Sequence, residues 1–361
     1  MTERSFAFLV HPREIEDFLI KFPYLRILPT SALLYLTKRF GPVRASRITG
    51  LTDTTGKPLI GYIVGITMTA HQMVEDPQAA LQQIRRAVVY ARDRLNTGVI
   101  GLGALTASFS KGGRDLEDIK GIGVTTGRAY TVKTIMEHLE GIRRRLDVPH
   151  TSLRVAVVGA AGSIGSSVAM TLARQGYHDL LLIDLERKLQ KVEKHVENIC
   201  AECTSATVTT SHHIGDIKSA DVVIAATNAP EVVIEPDDLK SGAIVINDAQ
   251  PSDISPRVIT ERLDVLVIEG GIVHSDTIRA NFNFRLASRG DLFSCLAETL
   301  VLAHHRQFEH FAVGELNLSL VETITKLGVS LDLKPAVPQN SRGIISDEQI
   351  ERVKTIVHSR H

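Results

Sequence analysis

The chain has 361 residues, and its 41 lysines and arginines balance 41 aspartates and glutamates, so no global field argues for nucleic acid or a membrane surface. Apolar residues at 43% and charged residues at 23% suit a globular protein long enough for two domains with ample cores. No apolar run approaches the ~20 residues of a spanning helix, Thr2 to Ser5 carries no signal pattern, and three cysteines make no disulfide framework, so the expected location is the cytoplasm.

Phe6 to Val10 reads as a short strand closed by His11-Pro12. Arg13 to Phe22 reads as a helix with Ile15, Phe18 and Leu19 on one face, and Ser31 to Arg39 as another. Val43 to Ile48 and Gly61 to Thr67 flank the turn residues 53–58, a hairpin signal with a long loop. Ala79 to Leu95 is amphipathic, with Leu81, Ile84, Ala87, Val88 and Ala91 at helical spacing. Val99 to Leu105 is glycine-rich and apolar, and Ser108 to Lys120 reads as a loop. Thr125-Thr126-Gly127 leads into a helix over Ala129 to Leu146, and 147–151 is a linker.

Leu153 to Val158 is an apolar strand followed by Gly159, Gly162 and Gly165, then by a helix-compatible run to Ala173. Strand, tight glycine turn and helix together predict a dinucleotide site. The first glycine makes the turn, the second admits a pyrophosphate to backbone N–H groups, and the third lets the helix pack close. Strands are expected at Leu180 to Ile183, Ala206 to Thr210, Asp221 to Thr227, Ala243 to Asn247 and Val265 to Glu269, with a helix over Glu186 to Cys200. That alternation predicts an α/β fold with a Rossmann-type doubly wound parallel sheet. Ligands lie beyond the carboxyl ends of such strands, so the expected cofactor residues are Gly159, Ala160, Ala161, Gly162, Ser163, Ile164, Gly165, Asp184, Arg187, Lys188, Thr227, Asn228, Gly270 and Gly271.

After Gly271 the pattern becomes irregular until Asp291, a good N-cap for a helix over Leu292 to His305. Leu316 to Leu327 and a segment starting at Ser346 also read as helical. The expected organisation is an N-terminal α/β substrate domain over 1–150 and a dinucleotide domain over 151–288. C-terminal helices over 289–361 complete it by packing back on the N-terminal domain.

Cys295 falls in the first turn or so of its helix, where free N–H groups and the dipole favour a thiolate able to attack an acyl carbonyl. A small buried hydrophobe is the plainer reading of the same residue. Glu298 shares its face as a candidate to position the thiol or relay a proton, and His274 is a candidate acid or base. Thr125, Thr126 and Gly127 are candidate substrate contacts, although Thr126 suits helix capping equally. Cys200 and Cys203 have no second pair at metal-ligand spacing, so no metal is expected. Asp184 ends the second strand, where a carboxylate holds ribose hydroxyls and suits NADH, whereas Arg187 and Lys188 in the same loop suit the extra phosphate of NADPH.

Several stretches in one order resemble the cyanobacterial long-chain acyl-(acyl-carrier-protein) reductases. They are residues 101–109, Thr125-Thr126-Gly127, the glycine turn 157–165, residues 180–183, Gly270-Gly271-Ile272-Val273 and Leu292-Phe293-Ser294-Cys295-Leu296-Ala297-Glu298. The resemblance runs from about Phe6 to about Leu333. It implies reduction of a fatty acyl thioester to a fatty aldehyde with NADPH. It matches the family's nucleophilic cysteine to Cys295 and leaves the acyl tunnel to the N-terminal domain and returning helices. The implied partners are an acyl carrier protein or coenzyme A thioester and an aldehyde-consuming enzyme; the oligomeric state is not legible. The chain departs from the family at Asp184-Leu185, where an alanine and an arginine are expected, and in the more acidic stretch 248–253. A non-covalent shikimate-dehydrogenase-like or hydroxy-acid dehydrogenase keeps the same fold without using the cysteine, and a non-enzymatic nucleotide sensor would bind cofactor without consuming it.

Overall fold

The structure is a computed structural model that describes residues 4–227, 229, 232–249 and 252–360. The chain forms two compact units. Unit 1 joins residues 1–130 to 275–334, and unit 2 joins 131–274 to 335–361. The cuts expected at 150 and 288 therefore fall elsewhere.

Unit 1 carries five strands: β1 (Ser5–Val10), β2 (Val43–Thr52), β3 (Pro58–Gly65), β4 (Thr97–Leu102) and β5 (Gly123–Thr125). They order as β2-β3-β1-β4-β5, antiparallel only at the β2/β3 hairpin. Alternation decides what each face meets. Ala7, Leu9, Val64, Ile100 and Leu102 enter one core with Ile84, Ala87, Val88 and Ala91 of the helix Pro77–Leu95. That helix starts on Asp76, whose side chain accepts from Ala79 N–H, and stops at left-handed Asn96. The intervening residue Gly101 receives the helix Ser294–His304. A methyl at Gly101 would stand 2.0 Å from Thr299 Oγ1, so only glycine permits this approach.

The far end of Ser294–His304 is tied to the hairpin. His304 Nδ1 bonds Thr52 O at 2.6 Å, and Arg306 donates to the buried Asp53. The Asp53 carboxylate also accepts from Thr55 N, Thr55 Oγ1 and Lys57 N, and these donors hold its pKa well below the usual carboxylate range. A depressed pKa contributes stability that is present above the unfolded value and lost as pH falls through the folded one. Asp53→Asn is therefore expected to lower the unfolding midpoint by a few degrees. The difference from wild type should be full above about pH 4 and close in strong acid, as thermal melts across pH will read.

Unit 2 carries β6 (Arg154–Val158), β7 (Asp179–Ile183), β8 (Thr207–Ser211), β9 (Val222–Ala225), β10 (Ile244–Asn247) and β11 (Leu266–Glu269). All pair in parallel in the order β11-β10-β9-β6-β7-β8, the doubly wound Rossmann arrangement. The middle strands are buried end to end, which is why they read as continuous apolar runs rather than alternating ones.

The tail belongs to this unit and not to the N-terminal domain as expected. The helix Asp347–His358 begins on Ser346, buries Ile350 and Val353, and ends with His358 Nε2 2.8 Å from Leu146 O. Asn340 Nδ2 donates to Val267 O nearby in the fold. Among the described residues, no helix is long and apolar enough to cross a membrane.

Candidate active site

The cysteine centre lies wholly in unit 1. Cys295 is half-buried and outside any disulfide, at the second position of the helix Ser294–His304. The residue before that helix is Phe293, not the Asp291 expected from capping preference. Asp291–Phe293 is extended, and the Asp291 carboxylate accepts instead from Ser288 N. Cys295 nevertheless keeps its place in the first turn, among N–H groups that no helical carbonyl satisfies.

The carboxyl end of β5 runs directly against it. Gly127 has φ +76°, and a methyl there would stand 2.3 Å from both Cα and Cβ of Cys295. Both the left-handed conformation and the contact demand glycine. Gly127→Ala is expected to displace the cysteine. Its rate of alkylation by iodoacetamide should change by about an order of magnitude or more, with a melting point lowered by the strain of about 1–2 kcal/mol.

Glu298, one turn on from Cys295, is fully buried. Its carboxylate accepts from Thr125 Oγ1, from Gly127 N at 3.1 Å and from Tyr130 N at 2.8 Å. Expected at the thiol, it instead closes the N-terminus of the helix Arg128–Leu146, where the dipole favours an anion. Burial still dominates and pushes its pKa up to about 7 against those donors. Thr125 and Thr126 are buried too, and Thr126 Oγ1 donates to Ala312 O. The three residues expected at the substrate thus form the frame that seats Cys295, with their polar groups directed inward.

The dinucleotide centre lies wholly in unit 2. Gly159 turns with φ +87°, where a methyl would meet Ala226 O at 2.6 Å, and a methyl at Gly165 would meet Gly159 O at 2.4 Å. The first and third glycines thus make the turn and the close helix–strand packing. Ala160 and Ala161 are buried, while Gly162, Ser163 and Ile164 are partly open at the start of the helix Ser163–Arg174. The amides of this first turn suit a pyrophosphate, so the cradle fits a dinucleotide.

Asp184 is turned inward. It accepts from Ala161 N at 2.9 Å and Leu185 N at 2.8 Å, and Lys188 Nζ pairs with it at 3.2 Å. Arg187 is exposed on the same turn. Thr227 follows β9, and its N and Oγ1 both donate to the buried Asp253, an anchor that the sequence reading did not single out. Asn228 lies outside the described residues. Gly270 packs on Ile246, where a methyl would stand at 2.4 Å, and Gly271 follows in the same turn. Asp248 closes β10, and burial, then the charges of Glu269 and Asp253, push its carboxyl up to about 8. His274 ends the short strand Ile272–His274 in this unit, whereas Cys295 lies in unit 1.

Residues 153–233 match the lactate/malate dehydrogenase NAD binding domain. The chain carries a dehydrogenase-type NAD-binding domain. It is 26% identical over 268 residues to the aminotransferase PigE of a Serratia species, covering 73% of this chain and 31% of that protein. It is 25% identical over 222 residues to the long-chain acyl-[acyl-carrier-protein] reductase of Synechococcus elongatus, covering 58% of this chain and 61% of that one. The chain thus spans less than two thirds of either relative. The NAD-dependent malic enzyme of Thermotoga maritima aligns over 98% of this chain and 84% of its own at 13% identity, with a TM-score of 0.44. Residues 153–233 are thus similar to the NAD binding domain of lactate and malate dehydrogenases, in keeping with the Rossmann-type sheet of unit 2.

Proposed function

We propose that the chain reduces a fatty acyl thioester to a fatty aldehyde through an acyl group carried on Cys295. The observation that carries this reading is the seating of Cys295 on the first helical turn, backed by a glycine that no other residue can replace. The distant likeness to an acyl-[acyl-carrier-protein] reductase supports it. In the first half-reaction the Cys295 sulfur attacks the thioester carbonyl, its bond to carbon forms, and the carrier sulfur leaves with the proton as a thiol. In this reading the developing oxyanion is held at the start of the helix Ser294–His304, where the dipole favours an anion. The glycine turn of unit 2 would hold a reduced nicotinamide dinucleotide, which when bound would supply the hydride for converting the acyl group to aldehyde. The carbon–sulfur bond to Cys295 breaks as the aldehyde leaves, and the thiolate takes up one proton from solvent to regenerate the free enzyme. Intact-mass analysis after mixing the protein with a long-chain acyl thioester and no cofactor tests this. An adduct of one acyl group on Cys295 is expected, and its absence overturns the covalent step.

NADPH is the cofactor in this reading. Both oxygens of Asp184 are engaged by Ala161, Leu185 and Lys188, whereas Arg187 stands exposed on the same turn. Arg187→Ala is expected to raise the KM for NADPH by roughly tenfold, the size of one phosphate contact, and to leave that for NADH unchanged. Steady-state kinetics with both cofactors reads the difference.

A second reading has its own support in the match to a lactate/malate dehydrogenase domain. A dehydrogenase acting on a small hydroxy acid would consume cofactor without any acyl adduct, and would be indifferent to the loss of Cys295.

A further inference from the structure

The chain is neutral as a whole, but its charge is not evenly spread. From Phe18 to Arg47 there is no aspartate or glutamate, and there are six lysines and arginines. The same stretch holds five of the 17 phenylalanines and tyrosines. It folds in unit 1 as the short helix Ile15–Lys21, a 3-10 turn Pro23–Ile27 and the helix Thr30–Thr37.

This layer covers itself poorly. Only Ile15, Phe18 and Leu33 reach a buried cluster, with Leu19, Phe22, Leu25, Leu28 and Leu34 half-covered around it. Large apolar side chains stand in solvent along it: Ile20 at 66% exposure, Tyr24 at 66%, Ile27 at 87%, Tyr35 at 58% and Phe40 at 40%. Among the described residues fourteen large hydrophobics are exposed, and five of them fall within these 21 positions. Isolated exposed hydrophobics need no explanation, but a concentration of them does. The cations are interleaved with them. Lys21, Arg26, Arg39, Arg44 and Arg47 are exposed, and the Arg39 guanidinium lies 3.9 Å from the centre of the Tyr35 ring.

We infer that residues 18–47 form a docking surface for an anionic lipid bilayer, held at the headgroup level and not spanning it. Protruding apolar tips need something to receive them. A folded partner would have to offer pockets matched to each, whereas acyl chains part around any shape. Lysine and arginine beside tyrosine and isoleucine have the composition of interfacial segments, with apolar parts in the acyl boundary and cations among phosphates. This surface is independent of the reaction proposed above.

Flotation of the full chain with vesicles tests the inference. One vesicle is phosphatidylcholine alone, and the other mixes phosphatidylcholine with phosphatidylglycerol. Binding to the mixed vesicles is expected in low salt, weaker by about tenfold or more on phosphatidylcholine or in high salt. A triple variant, Ile20→Ser with Tyr24→Ser and Ile27→Ser, and a charge variant, Arg26→Glu with Arg39→Glu, should each lose about tenfold or more. Both sets are exposed, so equal melting temperatures will show that the fold is kept, and Ile344→Ser in unit 2 should bind as wild type does. No binding of the wild type to either vesicle overturns the inference, as does undiminished binding of both variants. Binding of an acidic carrier protein that both variants abolish, with vesicles left unbound, would assign the surface to that protein instead.

Discussion

Cys295→Ser is expected to abolish aldehyde formation, by roughly a thousandfold or more, while leaving the dissociation constant for the reduced cofactor unchanged. Removing a nucleophile that forms a covalent intermediate typically costs that much or more, because the remaining binding groups accelerate little on their own. Serine fits the space, since the half-buried cysteine meets Gly127 through its Cα and Cβ, which serine keeps, and the hydroxyl is smaller than the thiol. What serine lacks is ready ionisation: a helix start that favours a thiolate does little for an alcohol. Cofactor binding, which the proposed reading places at the glycine turn of the other unit, supplies the control. Turnover of the serine variant within tenfold of wild type would exclude the acyl-cysteine and favour direct reduction.

Glu298→Ala is expected to destabilise unit 1 by about 3 kcal/mol or more, the largest stability effect foreseen. The alanine leaves Thr125 Oγ1 and the N–H groups of Gly127 and Tyr130 without their buried acceptor, each worth about 1–3 kcal/mol, and opens a cavity besides. Denaturant titration will read it. Glu298→Gln keeps the volume but turns an amide N–H₂ toward donors, so it should fall between wild type and alanine. The two also differ in pH dependence. A carboxyl whose folded pKa is about 7, above the unfolded value, binds more protons folded than unfolded between the two. Its contribution therefore falls as pH rises from about 4.5 to about 7, by roughly 3 kcal/mol in all, and glutamine should remove that slope. Equal slopes in wild type and Glu298→Gln would show that the carboxylate is ionised throughout.

The dinucleotide half of the molecule was legible because its signals are local. Apolar runs, a glycine triplet and regular alternation report on β6 to β11 without knowledge of anything distant. The cysteine half was only partly legible. Cys295 was found at a helix start, but the capping residue was misplaced at Asp291, since an acid followed by an apolar run looks the same whether its carboxylate caps a helix or, as here, serves Ser288. Glu298 was read at the thiol because three residues along a helix is a neighbouring position. Its actual donors lie 168 to 173 residues earlier in the chain, and no periodicity reports on them. The tail failed for a related reason: the stripe Ile350 and Val353 says that a face is buried but not against what. Thr126 could be read as a cap or a contact, and the hydroxyl turned out to serve Ala312.

The two-part make-up of unit 1 has a bearing on how the polypeptide is born. The ribosome finishes the five-stranded sheet by residue 125, yet the helix that seals Gly101 is not made until residue 304. For some 180 residues of synthesis, or roughly ten to forty seconds at ordinary elongation rates, that sheet face has no cover. The nascent protein thus carries an uncovered sheet face midway through translation, and Cys295 is among the last groups to be seated.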